Sequence, residues 1–206
     1  MHFVDYSTNQ LKLLIIFKRL GVFKMAKVDR RITKSQEAIK KAVTELMTEK
    51  PFDDITIQDI ADRANVNRGT IYLHYMDKYD LLDKMIEEHM DNLRQLCQSA
   101  SDMTYQEGNY IWYEYFERHY LFFSTMLESK GAHYFRSRFL ELVVQETKPE
   151  VDTTEGKNQG LSEEVVLHFF SSAVVGAVEW WFKNGMHVPT DVIAEQTGIL
   201  LDRNLE

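Results

Sequence analysis

Apolar residues recur along this chain with the spacing of amphipathic helices. In the first such segment they stand three and four positions apart, at Ile39, Ala42, Val43 and Leu46. Residues at this spacing share one side of a helix, so the pattern predicts a helix that begins at Thr33 or Ser35 and ends before Pro51. Similar segments follow to the C terminus without a competing strand pattern, and we expect an all-α fold.

Capping and turn residues place the boundaries of the later helices. Thr56 and Asp59 have the form of a capping box, and Asn65 and Asn67 suit a tight turn, because asparagine tolerates left-handed backbone and caps helices well. Residues 148–160 are polar with one proline and two glycines, which predicts a loop. The further helices are expected at about 56–64, 68–74, 77–97, 109–128, 132–147, 161–183 and 190–201.

Charge is distributed unevenly, although the 206 residues carry a net charge of −8. Residues 1–24 carry +3, residues 25–80 balance ten basic against ten acidic side chains, and residues 81–206 carry −11. A polyanionic partner therefore belongs at the N-terminal end. The single cysteine, Cys97, excludes an internal disulfide and fits a reducing cytoplasm.

The apolar segment LKLLIIF at 11–17 is far shorter than the roughly 20 residues of a membrane span, and no signal-cleavage pattern follows it. We expect no membrane association. Met25 begins a stretch that looks like an ordinary protein start. Residues 1–24 are therefore predicted to be an upstream extension that is either disordered or not part of the native protein. A genuine N-terminal helix or arm is the alternative.

The two short helices around the asparagine turn suit DNA binding. The second helix of such a pair can enter the major groove, about 12 Å wide, while the first braces it across the backbone. Ala61 is small where the two helices pack, and Val66 would fill the core between them. Arg68 could take a guanine with two hydrogen bonds, and Thr70 a thymine methyl or a phosphate. Gly69 removes a side chain where backbone and DNA approach closely.

Hydrogen-bond donors crowd the segment that follows. Tyr72, His74 and Tyr75 carry OH or N–H groups that can reach phosphates, and Lys78 begins the next helix, whose free N–H groups also favour a phosphate. Such contacts fix the register on DNA and do not specify sequence. The basic residues within 30–34 form either a supplementary arm or a solvated helix start.

Residues 56–82, TIQDIADRANVNRGTIYLHYMDKYDLL, resemble the DNA-binding signature of the tetracycline-repressor (TetR) family. That signature has an I-A-x-x-A-G-V turn, a Y-x-H/Y-F element and a lysine followed by a leucine, and the resemblance covers about residues 33–82. The sequence departs at Asn65, where the family usually has glycine, and at Tyr75, usually phenylalanine. Both departures are mild, because asparagine supports a positive φ and tyrosine keeps the ring.

The resemblance implies a three-helix DNA-binding domain at 25–80 and a helical bundle at 81–206 that binds an effector and forms a dimer. It implies a cytoplasmic homodimeric regulator that binds an operator in double-stranded DNA, without enzymatic activity or cofactor. Residues and resemblance together predict a set of DNA-contacting residues: Thr33, Thr56, Asn67, Arg68, Gly69, Thr70, Tyr72, His74, Tyr75 and Lys78.

An aromatic run at 110–123 holds nine ring-bearing side chains in fourteen positions, with histidine counted. One helix face cannot hold them all, so this helix is either ordinary core buried on several sides or the lining of a pocket for an apolar or aromatic effector. The candidate pocket residues are Trp112, Tyr113, Phe116, His119 and Tyr120.

Residues 165–182 are apolar nearly all round, with small residues in the middle. Such a helix must be covered on every side, either within a monomer or by a second chain. Combined with the helix from about Thr190, it predicts a four-helix dimer interface. The candidate interface residues are Phe169, Ser172, Ala173, Gly176, Trp180 and Ile199.

Metal binding and catalysis have little support. No nucleophile elbow or phosphate loop occurs, and no pair of histidines has ligand spacing such as H-E-x-x-H. The histidines that could contribute to a metal site lie on different predicted helices, at His89, His119, His133 and His168. We predict no catalytic residue, no metal and no enzyme.

The predicted function is a transcriptional repressor that a small molecule releases from its operator. An activator, a regulator controlled by a partner protein, and a helical ligand-binding protein that keeps the N-terminal unit only as scaffold are the alternatives.

Overall fold

A computed structural model describes residues 30–100, 102–128 and 132–205. Every regular element in these ranges is helical, which confirms the all-α prediction, while the expectation for residues 1–24 falls outside them. The α-helices are α1 (Arg30–Glu49), α2 (Ile57–Ala64), α3 (Arg68–Tyr72), α4 (Lys78–Ser99), α5 (Tyr105–Arg118), α6 (Tyr120–Glu128), α7 (Ala132–Thr147), α8 (Glu163–Lys183) and α9 (Thr190–Leu205). Short 3-10 turns occur at Phe52–Asp54, Lys148–Glu150 and Gly156–Asn158.

The predicted caps of the short helices are confirmed. The Thr56 hydroxyl accepts from the backbone N–H of Asp59, and the Asp59 carboxylate accepts from the backbone N–H of Thr56. Asn65 adopts left-handed backbone with φ of 52°, and the Asn67 side chain accepts from a backbone N–H in the first turn of α3. Local hydrogen bonds therefore fix where α2 ends and α3 begins.

Several predicted boundaries are wrong; the aromatic helix, for example, begins at Tyr105 and not at 109. The first helix is already formed at Arg30, ahead of Thr33 and Ser35, so neither residue caps it. The aromatic helix expected at 109–128 is interrupted at His119, which ends α5 just before α6 begins at Tyr120. The interruption brings Phe116 and Phe123, on either side of it, into edge-to-face contact at 4.9 Å between ring centroids.

One continuous apolar cluster joins the head, which we define as α1 to α3, to the body, α5 to α9. Ile39, Ile60 and Ile71 are fully buried in the head. Helix α4 is shared, because it supplies buried side chains along its whole length, from Leu81 to Leu96. The head is therefore packed against the body through a common helix.

Helices α5 and α9 make an unusually close contact. A Cβ atom placed on Gly198 would lie 2.7 Å from the backbone Cα of Gln106, closer than two carbon atoms can pack. The Asn109 amide donates to the Thr197 hydroxyl at 3.1 Å across the same contact. These contacts fix the spacing of the two helices.

Helix α8 is a long and strongly apolar helix of the body. Val175, Val178 and Trp181 are buried, and the Trp181 indole N–H donates to the backbone oxygen of Val188 at 2.8 Å. In the described part of the chain, α8 alone is long and apolar enough to cross a membrane by length and composition. Its buried side chains belong to the common core, as in the central helix of a globular domain.

A histidine of α4 is enclosed by aromatic side chains at the junction of head and body. The His89 ring stacks on Phe122, with 3.9 Å between ring centroids, and its Nδ1 lies 2.7 Å from the Tyr115 hydroxyl. Burial, with smaller effects from His119 and Lys40, lowers the pKa of His89 to about 3. The side chain is therefore neutral in the folded protein at neutral pH.

We predict that the free energy of unfolding falls as the pH drops from about 6.5 towards 3. The unfolded chain protonates His89 near its ordinary pKa while the folded chain does not, and one such group contributes a slope of up to about 1.4 kcal/mol per pH unit. Urea unfolding at pH 7 and pH 5 measures this slope. His89→Gln should flatten it, and the exposed His133→Gln should not; equal slopes in all three proteins would contradict the prediction.

Candidate functional site

The turn between α2 and α3 holds the second helix firmly on the first. The backbone N–H of Val66 donates to the Ala61 oxygen at 3.0 Å, and Ala61 itself is 1% exposed. Ile71 of α3 is fully buried on the opposite side of the contact, while Val66 packs half-buried against the same core. The predicted helix-turn-helix is therefore present, with α3 presented by a rigid support.

The outward side of α3 and the residues just after it form what we call the recognition surface. Its members are the exposed residues of the segment 67–76: Asn67, Arg68, Gly69, Tyr72, Leu73 and Met76. Arg68 makes no ion pair with any residue that the structure describes. Leu73 is 79% exposed and Met76 is 81% exposed, which is unusual for large apolar side chains.

Sequence analysis missed Leu73 and Met76. Ile71 and Tyr75 lie four positions apart and are both buried, so they mark the inward side of this segment. Neither Leu73 nor Met76 falls on that side. An apolar residue two positions after a buried one in a helical turn points away from the core. Their exposure suits contact with thymine methyl groups or deoxyribose.

Tyr75 does not belong to the recognition surface. It is only 4% exposed, and burial, with nearby acidic side chains, raises the pKa of its hydroxyl. The ammonium of Lys84 lies 5.4 Å from the centre of its ring. The predicted phosphate contact is corrected: Tyr75 lies four residues after Ile71, on the same inward side, and packs in the head.

The ammonium of Lys78 is hydrogen-bonded to the backbone of the protein itself. Its ammonium donates to three backbone oxygens, those of Phe52 at 3.0 Å, Asp53 at 2.7 Å and Ile55 at 2.8 Å. Because an ammonium has three hydrogens, these bonds use all of its donors. The structure thus gives Lys78 a role in anchoring the turn before α2. Its contact with a DNA phosphate stays a prediction.

Two N-terminal N–H groups of α4 are hydrogen-bonded to a side chain of the protein itself. The Asp77 carboxylate accepts from the backbone N–H groups of Tyr79 and Asp80, and the Asp80 carboxylate accepts from the N–H of Met76. Lys84 bridges the Asp80 carboxylate at 2.9 Å. Two carboxylates therefore lie at this helix start and compete with a phosphate for its N–H groups.

The remaining predicted DNA contacts are placed as follows. Thr56 is exposed, but its hydroxyl is engaged in the capping box of α2. Thr70 and His74 are half-buried beside the recognition surface. Thr33 lies in the second turn of α1. Their contacts with DNA stay predictions.

The predicted pocket residues do not share one cavity. Trp112 lines a cavity of about 590 Å³, whereas Tyr113 and Phe116 are buried in the core. His119 lines a separate depression of about 240 Å³, and Tyr120 is 44% exposed. The break at His119 explains the difference, because residues after it no longer follow the direction of α5.

The cavity of about 590 Å³ lies where three helices end. The last turns of α4, α7 and α9 surround it, together with the first two turns of α5. Cys97 lines it too, and burial, followed by the nearby Glu146, raises the pKa of this thiol to about 12. The thiol is therefore protonated and poorly nucleophilic. In the described ranges, no group of three or more potential metal ligands comes together.

The predicted interface residues of α8 lie on one apolar outer face. Phe169 is 68% exposed and Trp180 is 46% exposed, with Ser172 and Ala173 exposed between them. A Cβ atom on Gly176 would meet nothing within 4 Å. Of the predicted residues on α9, Ile199 is half-buried; its neighbour Leu200, 58% exposed, and Val165 of α8, 65% exposed, extend the face beyond the prediction.

Comparisons with known proteins match both parts of the chain. A family model described as bacterial regulatory proteins of the tetR family matches residues 39–85, and a model described as a transcriptional regulator C-terminal region matches residues 103–203. Together the two matches cover most of the chain. The chain belongs to the TetR family of transcriptional regulators.

Individual relatives agree with this membership. A Bacillus subtilis (strain 168) protein, named uncharacterized HTH-type transcriptional regulator YxbF, is 34% identical over 90 residues; the match spans 41% of this chain and 23% of that protein. A TetR transcriptional regulator from Streptococcus agalactiae 2603V is 26% identical, with a TM-score of 0.65, and the match covers 84% of this chain and 96% of that one.

A third relative shows the same fold. FadR from Bacillus subtilis, solved in complex with stearoyl-CoA, is 17% identical with a TM-score of 0.61, over 80% of this chain and 96% of that one. The matched families and relatives are named as regulators, which confirms for this TetR-family protein the prediction that it is not an enzyme.

We predict that Lys78→Ala lowers the stability of this TetR-family protein by about 2 kcal/mol, because it removes three hydrogen bonds from a charged donor. Urea unfolding measures the effect, with the exposed Lys41→Ala as the control that should lose less than about 0.5 kcal/mol. Unchanged stability combined with lost DNA binding would instead support the phosphate contact.

Proposed function

We propose that this protein binds an operator in double-stranded DNA as a homodimer, with α3 of each subunit in a major groove. The observation that carries the proposal is the recognition surface, where Arg68 and Tyr72 are exposed on a helix held rigidly from behind. In a two-fold dimer the half-sites would lie about one helical turn, roughly 34 Å, apart.

The recognition surface combines three kinds of contact. Arg68 is free to take a guanine with two hydrogen bonds, and Tyr72 is placed to donate to a phosphate. Leu73 and Met76 offer apolar surface to thymine methyl groups or sugars. Because residues 25–80 carry no net charge, we expect modest non-specific affinity and a shallow dependence on salt.

The apolar face of α8 supports the homodimer. Phe169 and Trp180 expose large rings to solvent on the same helix, and small residues between them allow a second helix to approach closely. A two-fold dimer presents the same patch from both subunits, so one apolar face is enough to build the interface. Contiguous exposed apolar surface of this kind marks an association site.

Helix α4 supplies the route from a ligand to the DNA. Its first residue, Lys78, anchors the head, and residues of its last turns, Cys97 and Gln98, line the cavity. A ligand that favours a state with a different tilt of α4 would change the spacing of the two recognition surfaces, provided that it binds that state more tightly. The FadR relative with stearoyl-CoA supports ligand binding by this fold.

We infer that the protein acts as a repressor in the cytoplasm and that ligand binding releases it from DNA. Activation of transcription is the alternative that the same geometry supports, since both outcomes need the same operator contact. Control by a partner protein is the further alternative, and the cavity of about 590 Å³ favours a small ligand over it.

We predict that Arg68→Ala weakens operator binding by about 10- to 100-fold and relaxes sequence preference at one base pair, because the base contact is lost. The operator is first selected from random DNA, and affinities are then measured by fluorescence anisotropy. Arg203→Ala, which removes an exposed basic side chain at the far end of α9, is the charge-matched control. Failure of the wild-type protein to select any DNA would favour the scaffold alternative.

We also predict that Phe169→Glu converts the dimer to a monomer, because it places a charge in the apolar face. Sedimentation equilibrium measures the mass in solution. Leu121→Glu makes the same change at an exposed apolar residue of α6, outside that face, and should leave the dimer intact. A wild-type monomer, or a dimer that survives Phe169→Glu, would contradict the proposed interface.

A further inference from the structure

The cavity lies at the negative ends of three helices. Helices α4, α7 and α9 all terminate beside it, at Ser99, Thr147 and Leu205. The C-terminal end of a helix carries about half a negative charge from its unpaired carbonyl groups. The start of α5 is the one opposing positive end, and there the Glu107 carboxylate of a capping box lies against the first turn. The backbone therefore biases the cavity towards cations.

The charged side chains of the cavity have the same sign. Glu146, Glu150 and Asp202 line it, and none of its lining residues is a lysine, arginine or histidine. Two of the three carboxylates have partial partners: the Arg94 Nε atom lies 3.7 Å from Glu146, and the Tyr105 hydroxyl donates to Glu150 at 3.3 Å.

Asp202 is the carboxylate with the fewest partners. It makes no ion pair with a described residue. Its helix end also carries basic groups: Arg203 lies in the same last turn, and the Lys157 ammonium donates to the backbone oxygen of Arg203 at 2.9 Å. Asn158 donates to the next oxygen, that of Asn204, at 2.8 Å. These contacts secure the end of α9 and leave the Asp202 side chain available to a ligand.

Part of the cavity wall is apolar and includes an aromatic ring. Met103, Val143, Val174 and Leu205 line it, and Trp112 presents the aromatic surface. A tryptophan face attracts a cation through its ring electrons. The volume of about 590 Å³ lies within the range of small-molecule sites, roughly 300 to 1,000 Å³. Apolar and aromatic wall segments together with acidic groups match a ligand with an apolar body and a positive charge.

We propose that this cavity binds an organic cation with an apolar body, such as a lipophilic ammonium or phosphonium compound, and rejects fatty acids and other anions of similar size. The charge preference stands on the cavity alone. The role of such a cation as the effector rests on the proposed function.

Two ions of nearly equal size and shape but opposite charge test the preference. Calorimetric titration of the full chain with tetraphenylphosphonium and with tetraphenylborate should give at least tenfold tighter binding of the phosphonium cation. Asp202→Asn should weaken phosphonium binding three- to tenfold. Glu195→Gln removes an equal charge from the exposed side of the same helix and should leave the affinity unchanged.

Equal or tighter binding of tetraphenylborate overturns the proposal, and so does an equal loss in the Asp202→Asn and Glu195→Gln variants. Urea unfolding of each variant shows whether the fold is kept, and a Glu150→Gln variant provides a second test if Asp202→Asn is unstable. A third titration follows the selected operator complex as phosphonium is added. Release of DNA supports the effector role, whereas binding without release overturns that role and leaves the cation site supported.

Discussion

The ammonium of Lys78 holds the head together by bonding to three backbone oxygens at once. The acceptors lie in the turn between α1 and α2, and the donor is the first residue of α4. One side chain therefore ties the turn that joins α1 and α2 to the helix that enters the body. The rings of Phe52 and Tyr79, each about 5 Å from the ammonium, cover it further. Hydrogen bonds to a charged donor are stronger than neutral ones, and breaking them would leave polar oxygens unpaired. The anchor thus fixes the turn before α2, the helix that supports α3 in the proposed DNA complex.

From that anchor, α4 runs as a single helix of 22 residues to the cavity. At about 1.5 Å per residue, it spans roughly 33 Å without a joint. Its flanks are buried in a common core, so a displacement at one end is not absorbed by a flexible linker. In the proposed function, ligand and DNA are coupled through this one helix, of which one end contacts the head and the other lines the cavity.

The features that sequence could predict are local ones. The capping box at Thr56, the left-handed Asn65 and the start of α4 follow from residues within a few positions of each other. The hydrogen bonds of Lys78 within the protein could not be predicted from local sequence, because the backbone oxygens that accept them lie more than twenty residues away. The break at His119 and the cavity likewise depend on how distant helices pack, and the periodicity of one segment carries no information about that. The exposure of Leu73 and Met76 is a local feature too, since neither lies on the helix side that Ile71 and Tyr75 bury.

Gly198 connects the packing of the body to the chemistry of the cavity. Helix α5 approaches α9 so closely at this residue that the Gln106 backbone occupies the space of a side chain, and α5 also forms one wall of the cavity through Trp112. In a related gene that encodes any other amino acid here, the wall must have moved outward and the cavity must have changed shape. The codon at this one position thus distinguishes homologues that inherited the same cavity from those whose ligand selectivity has diverged.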